Sequence, residues 1–435
     1  MQRVKKIKEI SLFQKERLQA ELLKLSEQFE HVAILDSNNY QDKYGKYELL
    51  AAFGAHRLLN SNDNSFEALR AFYKEKKSWL FGHLSYELKD ELEDLHSANE
   101  KQFDFSPLAF FEPKHLLVWK RGENSATWYS HHEGEFENLL NQNEGIADWE
   151  FQEVKLSAQL SRADYIEKVE GLKAEIRYGN IYEVNFCQTF HSQLELNPNA
   201  FFNQLARKSP MPFSAFYKQE SDYLLCASPE RFMCKRANKL ICQPIKGTAR
   251  RSEDAIEDKK IAEELKADLK EQTENVMIVD LMRNDLSRTA ARGSVKVEEL
   301  FGVYSFPQVH QLISTITSLL AEDKDAIEAI VQAFPMGSMT GAPKIKAMQL
   351  IEEYEESRRE LYSGSVGYFD PEGDFDFNVV IRSLLYSEKK QYASLTVGGA
   401  ITDLANAEQE YRECLLKAKA IFEQPETDLD VEPAR

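Results

Sequence analysis

Near the middle of the chain, Leu240–Arg250 reads L-I-C-Q-P-I-K-G-T-A-R. Its apolar start predicts the end of a strand, and the two breakers Pro244 and Gly247 predict a tight turn after it. Lys246 lies between those breakers. A lysine amine on such a turn can act as a nucleophile or bind an anion. The ordinary alternative is a solvated loop lysine, so the rest of the sequence has to decide.

Composition limits the kind of protein. The 435 residues carry a net charge of −18 and are 43% hydrophobic and 29% charged. This length allows one large core or two to three ordinary domains, and the composition is typical of a globular protein. The negative charge argues against nucleic acid and anionic membrane as partners. An anionic substrate would therefore need a locally positive site.

The chain shows no secretion or membrane signal. No apolar run is long enough to span a bilayer, and the basic N-terminus M-Q-R-V-K-K-I-K-E-I-S-L-F lacks the apolar core of a signal peptide. The five cysteines are odd in number and form no C-x-x-C pair, which favours reduced thiols over disulfides or a zinc site. We therefore expect a cytoplasmic protein.

The first third of the chain shows few strong signals. Residues 1–25 predict an amphipathic helix, and an acidic stretch around 89–100 predicts another. Predicted strands are His31–Asp36, Trp79–Tyr86 and His115–Trp119. We place a domain boundary near residue 150, with an N-terminal subdomain at 1–150, a larger domain at 151–423 and a disordered tail at 424–435.

The signals become stronger after residue 160. Ser161 is an N-cap candidate with Asp164 at the capping-box position, so Ser161–Tyr178 is a predicted helix. The other predicted helices are Phe201–Lys208, Glu253–Arg283, Asp325–Phe334, Ile345–Tyr354 and Ala405–Phe422. The predicted strands are Ile181–Phe190, Phe213–Lys218, Tyr223–Ala227, Gly364–Phe369, Phe377–Tyr386 and Ser394–Val397. The segment His310–Leu320 fits either a helix or a strand.

Two acidic pairs lie on predicted helices. Glu271 and Glu274 are three residues apart, as are Glu410 and Glu413. Residues at this spacing share one helix face, so each pair presents two carboxylates on one side. Two such helices facing each other would form an all-oxygen site suited to Mg²⁺. For either pair alone, a solvated acidic face is the simpler explanation.

Three further features admit both a functional and a structural explanation. The loop Gly337–Lys344 departs from the phosphate-loop template, because Ala342 and Pro343 precede the lysine and no hydroxyl follows it. Arg382 follows an apolar run and needs a carboxylate, supplied either by a substrate or by an internal ion pair. His310 fits a core histidine or a catalytic one.

Taken together, the motifs resemble those of the chorismate-utilising enzymes, which include anthranilate synthase component I, aminodeoxychorismate synthase component I and the isochorismate synthases. The matching segments run in the family's order from about residue 161 to 422: Gly179–Gln188, Ser228–Phe232, Pro244–Thr248, Glu274–Asp285, Val309–Ser314, Gly337–Met348, Gly364–Arg382 and Glu410–Glu413. The resemblance implies an α+β fold in which two antiparallel sheets pack face to face with helices outside. The N-terminal segment would add strands to that sandwich.

The residue at Lys246 distinguishes branches of this family. Anthranilate synthases carry P-I-A-G-T, whereas aminodeoxychorismate synthases carry P-I-K-G-T, as this chain does. The general-base lysine of isochorismate synthases corresponds to Glu183 here, so water activation is not expected. The resemblance therefore implies amination of chorismate at C4. The alternatives are an anthranilate synthase and a catalytically silent chorismate-binding subunit.

The resemblance also implies roles for individual residues. Lys246 would attack C2 of chorismate while Glu230 protonates the leaving 4-hydroxyl, and ammonia would then add at C4 and displace the lysine. Mg²⁺ would be held by Glu274 and Glu413, with Glu271 and Glu410 acting through water. The residues expected to bind the substrate are Gly247, Thr248, His310, Thr340, Tyr362, Arg382, Gly398, Gly399 and Ala400. Ala400 stands where the family often has glycine, and an added methyl group would matter if that position needs a positive φ.

A partner subunit is implied as well. Ammonia in this family comes from a glutamine amidotransferase, and no cysteine nucleophile motif of that class occurs in the sequence. We therefore expect the amidotransferase to be a separate chain.

Overall fold

A computed structural model of the chain describes residues 4–9, as backbone, and residues 15–130, 149, 152 and 154–422. The strands are β1 (Val4–Glu9), β2 (His31–Asp36), β3 (Tyr47–Ser61), β4 (Leu80–Leu84), β5 (Leu108–Lys120), β6 (Ser125–Ser130), β7 (Ser157–Ala158), β8 (Glu183–Gln193), β9 (Phe213–Gln219), β10 (Asp222–Ser228), β11 (Arg231–Arg236), β12 (Lys239–Gln243), β13 (Ile245–Arg250), β14 (Lys296–Ser305), β15 (Val309–Leu319), β16 (Gly341–Ala342), β17 (Ser365–Phe369), β18 (Phe375–Asn378), β19 (Ser383–Ser387) and β20 (Tyr392–Ile401). The α-helices are α1 (Lys15–Ser26), α2 (Ser65–Glu75), α3 (Lys89–Leu92), α4 (Arg162–Tyr178), α5 (Pro198–Lys208), α6 (Ala255–Ala267), α7 (Leu269–Ser287), α8 (Ala326–Ala333), α9 (Lys344–Tyr354) and α10 (Ala407–Phe422).

The strands form two antiparallel sheets that share two long strands. The first sheet has the order β8-β20-β19-β10-β9-β2-β3-β5-β6-β1. The second has the order β3-β5-β4-β17-β18-β11-β12-β15-β14, and β13 also pairs with β15. Because β3 and β5 pair along nearly their whole length, the hydrogen-bonded network continues from one sheet into the other.

The apolar residues divide into an inner layer and two outer layers. The inner cluster joins Ala33 and Leu224 of the first sheet to Phe81 and Val366 of the second. One outer cluster contains residues of α1, α4 and α5, and the other contains residues of α2, α7 and α8. This arrangement confirms the predicted fold class, two packed antiparallel sheets with helices outside. Burial of these apolar faces is the main force that holds the layers together.

Several predicted elements have different boundaries in the structure. The N-terminal helix prediction is wrong for Val4–Glu9, which form a strand paired with Ser125–Ser130. The helix predicted around 89–100 is limited to Lys89–Leu92. The long helix predicted at 253–283 divides at Asp268, whose side chain accepts hydrogen bonds from the backbone N–H groups of the next turn and so caps a new helix.

The strand predicted at Phe377–Tyr386 is also two elements. It ends at Asn378, and a new strand begins at Ser383. Arg382 lies in the break and has a φ of 52°, a conformation that interrupts strand geometry. The apolar pattern continues through the break because the connecting residues Val379 and Val380 are buried. A buried apolar run therefore does not by itself mark a paired strand here.

Other expectations are confirmed. Ser161 caps its helix by accepting a hydrogen bond from the backbone N–H of Asp164, and the segment beginning at His310 is a strand. Strands from the predicted N-terminal subdomain join both sheets, while the domain boundary at residue 150 stays a prediction. The predicted tail at 424–435 lies outside the described residues. Among the described helices, none is both long and apolar enough to cross a membrane.

Candidate active site

Lys246 lies on a bulged strand, not on the predicted tight turn. In the pairing of β13 with β15, Ile245 is opposite Ile313 and Thr248 is opposite Gln311. The strand therefore holds one more residue than its partner between these pairs, which is a β-bulge. Gly247 supplies the required positive φ of 86°. The bulge removes Lys246 from the regular ladder and turns its side chain toward the strand β8.

The amine of Lys246 is paired and nearly enclosed. Its Nζ lies 2.7 Å from Glu183 Oε1, and the side chains are 10% and 1% exposed, respectively. Burial opposes the charged amine, but the carboxylates of Glu183, Glu274 and Glu230 raise the pKa of Lys246 above its ordinary value. The solvated-lysine alternative is therefore wrong. In this state the side chain is an ammonium ion.

Glu230 lies at the corner between β10 and β11, and it is 4% exposed. The Ser228 hydroxyl accepts a hydrogen bond from the Glu230 backbone N–H at 3.1 Å, which holds this corner. Ser338 donates its hydroxyl to Glu230 Oε1 at 2.8 Å. Burial raises the pKa of Glu230 to about 7, although Ser338 and the Lys246 ammonium oppose the shift. A carboxyl group with this pKa can act as a general acid near neutral pH.

The two acidic pairs face the same region. An added Cβ at Gly247 would lie 2.9 Å from Glu271 Oε2, and one at Gly399 would lie 3.0 Å from Glu410 Oε2. All four carboxylates of the two pairs, Glu271, Glu274, Glu410 and Glu413, raise the pKa of Lys270 against the opposing effect of burial. The helices α7 and α10 thus bring both pairs to the bulge and to the glycines of β20. The solvated-face explanation does not fit Glu274 and Glu410, which are 8% and 6% exposed.

The chemistry of these carboxylates fits a hard divalent cation. Within the described residues, no three His, Cys, Asp or Glu side chains are close enough together to hold a metal ion. However, Glu274 Oε1 is buried and accepts no hydrogen bond from the described residues, and the Lys270 ammonium lies 3.9 Å from it. Burial raises the pKa of Glu274 to about 7 and also raises that of Glu410. Buried carboxylate oxygens that repel one another are the ligand type Mg²⁺ prefers, and a bound cation would relieve their repulsion.

Glu413 differs from the other three glutamates. Its side chain is 51% exposed and lies 2.7 Å from the Lys417 ammonium. Although burial acts in the opposite direction, Lys417 lowers the pKa of Glu413. Glu413 is therefore charged before any metal binds. Lys417 and Lys270 are residues of this region that the sequence patterns did not indicate.

Arg382 is a buried cation without an internal ion pair in the described part of the chain. Its Nη1 contacts the sulfur of Met211 at 3.8 Å. Burial lowers the pKa of Arg382 to about 10, while the charge of Glu230 opposes the shift. Of the two explanations open from sequence, the internal ion pair is thus wrong. A buried guanidinium near Glu230 can bind a carboxylate that enters the site.

The remaining residues predicted to bind the substrate differ in their burial and in the residues they contact. Thr340 is fully buried, and its carbonyl accepts a hydrogen bond from Asn185 at 2.8 Å, next to the strand start at Glu183. Tyr362 is also buried, and its hydroxyl lies 3.7 Å from Cys187 Sγ. Thr248 follows the bulge and is exposed.

His310 is held by contacts of its side chain, whereas the predicted residues of β20 are held by their backbone. The ring nitrogens of His310 contact Ser305 Oγ at 2.8 Å and Asp258 Oδ1 at 3.0 Å, so no contact joins the ring to Lys246. Gly398, Gly399 and Ala400 pair with β8 as extended strand. Ala400 is not among the residues with positive φ. An alanine is therefore accommodated there without backbone strain.

Ser338 and Glu183 contact the predicted catalytic residues, but the sequence did not predict a catalytic role for either of them. Ser338 follows the first glycine of the loop at 337–344 and reaches Glu230 across a sequence separation of 108 residues. Glu183 stands out in the sequence only as a departure from the isochorismate synthases. A pattern of neighbouring residues could not reveal either contact, because each joins segments that only the sheet packing brings together.

These features define a buried, acidic site around the paired amine of Lys246, and comparison with known proteins assigns its class. Residues 17–423 match the family described as chorismate binding enzyme. Because the match covers most of the chain, the protein belongs to the chorismate binding enzyme family.

Individual relatives come from two branches of the family. Aminodeoxychorismate synthase component 1 of Salmonella typhimurium is 40% identical over 265 residues, 61% of this chain and 58% of that protein. The corresponding protein of Escherichia coli is 40% identical over 280 residues, 64% of this chain and 60% of that protein. Anthranilate synthase component 1 of Thermus thermophilus is 37% identical over 268 residues, 62% and 58% of the two chains. The matched region thus spans about three fifths of the length of each relative.

Solved structures agree with the fold. Anthranilate synthase component I from Streptococcus pneumoniae superposes with a TM-score of 0.77 at 24% identity, covering 88% of this chain and 94% of that one. The menaquinone-specific isochorismate synthase from Escherichia coli gives a TM-score of 0.75 at 20% identity, covering 97% and 95%. At these identities the likeness establishes the fold, and the chemistry has to be argued from the residues.

Proposed function

We propose that this protein is an aminodeoxychorismate synthase component I, which converts chorismate and ammonia to 4-amino-4-deoxychorismate. The observation that carries the proposal is the buried lysine of the P-I-K-G-T motif, whose amine lies in the same site as Glu230 and the acidic pairs. Relatives with this name are 40% identical over about three fifths of the chain. The product would serve 4-aminobenzoate and folate synthesis.

The proposed reaction uses Lys246 as the nucleophile and Glu230 as the acid. The neutral amine forms a bond to C2 of chorismate, the ring double bond shifts, and the 4-hydroxyl leaves as water with the proton of Glu230. Ammonia then bonds to C4, the double bond shifts back, and the lysine leaves as a neutral amine. Hydroxide is a poor leaving group, so a positioned acid contributes about 10²–10⁴-fold to the rate.

The other residues bind and orient the substrate in this proposal. Arg382 pairs with the enolpyruvyl carboxylate, because the guanidinium has no ion pair in the described part of the chain. Glu274 and Glu413 would hold Mg²⁺, with Glu271 and Glu410 acting through water. When bound, the ion supplies positive charge for the ring carboxylate of chorismate. The ammonia comes from a separate glutamine amidotransferase subunit.

The decisive experiment supplies the protein with chorismate, Mg²⁺ and an ammonium salt. The expected product is converted to 4-aminobenzoate by added aminodeoxychorismate lyase. Direct release of fluorescent anthranilate would instead assign the protein to the anthranilate synthases, to which it is also related. No turnover of chorismate, with chorismate still bound, would favour a catalytically silent subunit. Omitting Mg²⁺ should abolish the reaction in either active case.

A further inference from the structure

We infer that Glu183 is a catalytic residue of this site, which accepts the ammonium proton of Lys246 before the lysine attacks and returns it when the lysine leaves. This inference rests on the proposed function. It adds a third residue to the reaction beyond the nucleophile and the acid. The sequence alone suggested only that Glu183 excludes water activation.

The contact geometry supports this role. Glu183 Oε1 lies 2.7 Å from Lys246 Nζ, so a hydrogen bond already joins the donor and the acceptor. Glu183 Oε2 is buried and accepts no hydrogen bond from the described residues, so no donor in this part of the chain competes with Lys246 for it. An unpartnered buried carboxylate oxygen is costly in a purely structural ion pair. Such an oxygen is explained more simply by a group that changes protonation state during turnover.

The surrounding backbone holds Glu183 in place. Glu183 begins β8 and is paired with Ala342 in β16. A Cβ added at Gly341 would lie 2.2 Å from the Glu183 carbonyl oxygen, so the glycine-rich loop packs directly on this residue. Lys246 is held from the opposite side by its bulge. The amine and the carboxylate are therefore both placed by rigid elements, as an efficient proton transfer requires.

The charges around the pair explain why the proton must be moved. The lysine faces Glu183, Glu274 and Glu230, and all three favour its charged form. An ammonium ion has no lone pair and cannot attack C2. When substrate fills the site and excludes water, a buried ion pair becomes less favourable relative to two neutral groups. Transfer along the existing hydrogen bond produces those neutral groups without an exchange with solvent.

The protons balance over one cycle. Glu183 takes one proton from the Lys246 ammonium, and the neutral amine bonds to C2 while Glu230 gives its proton to the departing hydroxyl. Ammonia bonds to C4 and the lysine leaves as a neutral amine. Glu183 then returns its proton to the lysine, and Glu230 takes one from the new C4 ammonium group. The net reaction is chorismate plus ammonia giving the amino product plus water.

The test compares Glu183→Gln with the wild-type enzyme in the ammonium assay between pH 6 and 9, at constant free ammonia. We expect kcat to fall about 100-fold at neutral pH, with a smaller change in KM for chorismate. Glu274 and Glu230 still favour the charged lysine in the variant, and without its acceptor the lysine must lose its proton to solvent. The ratio of variant to wild-type kcat should therefore rise with pH, approaching about tenfold per unit. A merely structural role would leave this ratio constant.

Two further variants complete the experiment. Glu183→Ala should regain activity when formate is added, whereas the wild type should not respond. Glu48→Gln is a matched control, since Glu48 is also buried and lies 2.6 Å from Lys15 in an ion pair; its pH profile should follow the wild type. Unchanged kcat in Glu183→Gln, or a loss with a pH-independent ratio and no rescue, would overturn the inference. If the wild type itself makes no 4-amino-4-deoxychorismate, the proposed function fails instead.

Discussion

Removal of the Ser338 hydroxyl should shift the pH dependence of the reaction upward. Ser338 donates to Glu230 Oε1 at 2.8 Å, a bond that favours the ionised carboxylate. Burial already raises the pKa of Glu230 to about 7. A hydrogen bond to a charged group contributes about 1.5–3 kcal/mol, and about 1.4 kcal/mol corresponds to one pKa unit. Ser338→Ala should therefore raise the pKa of Glu230 by about one to two units.

The sign follows from the role of Glu230 as an acid. The protonated form is active, so kcat/KM for chorismate falls as the pH rises through the pKa of the free enzyme. In the wild type this decrease should be centred at about pH 7. In Ser338→Ala it should move to about pH 8–9, because the ionised form has lost its donor. At pH 8 the variant would therefore retain a larger fraction of its low-pH kcat/KM than the wild type retains.

The assay measures kcat/KM at several pH values with free ammonia held constant and aminodeoxychorismate lyase in excess. Ser26→Ala is the matched control, because Ser26 is also buried and donates to the carbonyl of Leu23. Its profile should follow the wild type. An unchanged midpoint in Ser338→Ala, or one shifted to lower pH, would refute the assignment of Glu230 as the acid governed by this bond.

Three more substitutions test other parts of the site. Lys246→Ala should reduce kcat by about 10³-fold or more, and unchanged turnover would disprove the covalent role without affecting family membership. Gly247→Ala should lower the free energy of unfolding in urea by about 1–3 kcal/mol, because alanine is strained at a positive φ. It should also weaken Mg²⁺ binding, because the added Cβ would lie 2.9 Å from Glu271 Oε2. Gly122→Ala is the control, because Gly122 also has a positive φ but no described atom lies within 4 Å of an added Cβ. It should lower the stability only through backbone strain, and equal Mg²⁺ titrations for both variants would contradict the proposed contact. Arg382→Gln should raise KM for chorismate about 10–100-fold by removing a charged hydrogen bond, and an unchanged KM would exclude its role in carboxylate binding.

Local sequence was sufficient for elements whose signal is contained within a few residues. The Ser161 cap and the helix after it are one example, because the capping side chain and the amide it satisfies are only three residues apart. The strands β2, β9 and β10 were predicted for a similar reason, since continuous apolar runs mark strands buried on both faces. The order of the motifs likewise identified the family, which the match over residues 17–423 confirms.

Errors arose where a distant segment determines the local structure. Val4–Glu9 are a strand because Ser125–Ser130 offer a free edge, which no nearby residue indicates. The break at Arg382 is hidden because buried residues on both sides continue the apolar pattern. The bulge at Lys246 required its partner strand to be known, since a bulge is a mismatch in register between two strands.

The sequence by itself determined the residue types of the site and the family to which they belong. Lysine in the P-I-K-G-T motif, glutamate in S-P-E-R-F and two E-x-x-E pairs are chemical identities that do not depend on folding. Tertiary structure alone decided the charge of Lys246, through its pairing with Glu183 at 2.7 Å, and the raised pKa of Glu230, through burial. The physical reason is that a protonation state depends on the solvent and charges around a group. Those surroundings exist only after β8, β11 and β13 have packed together.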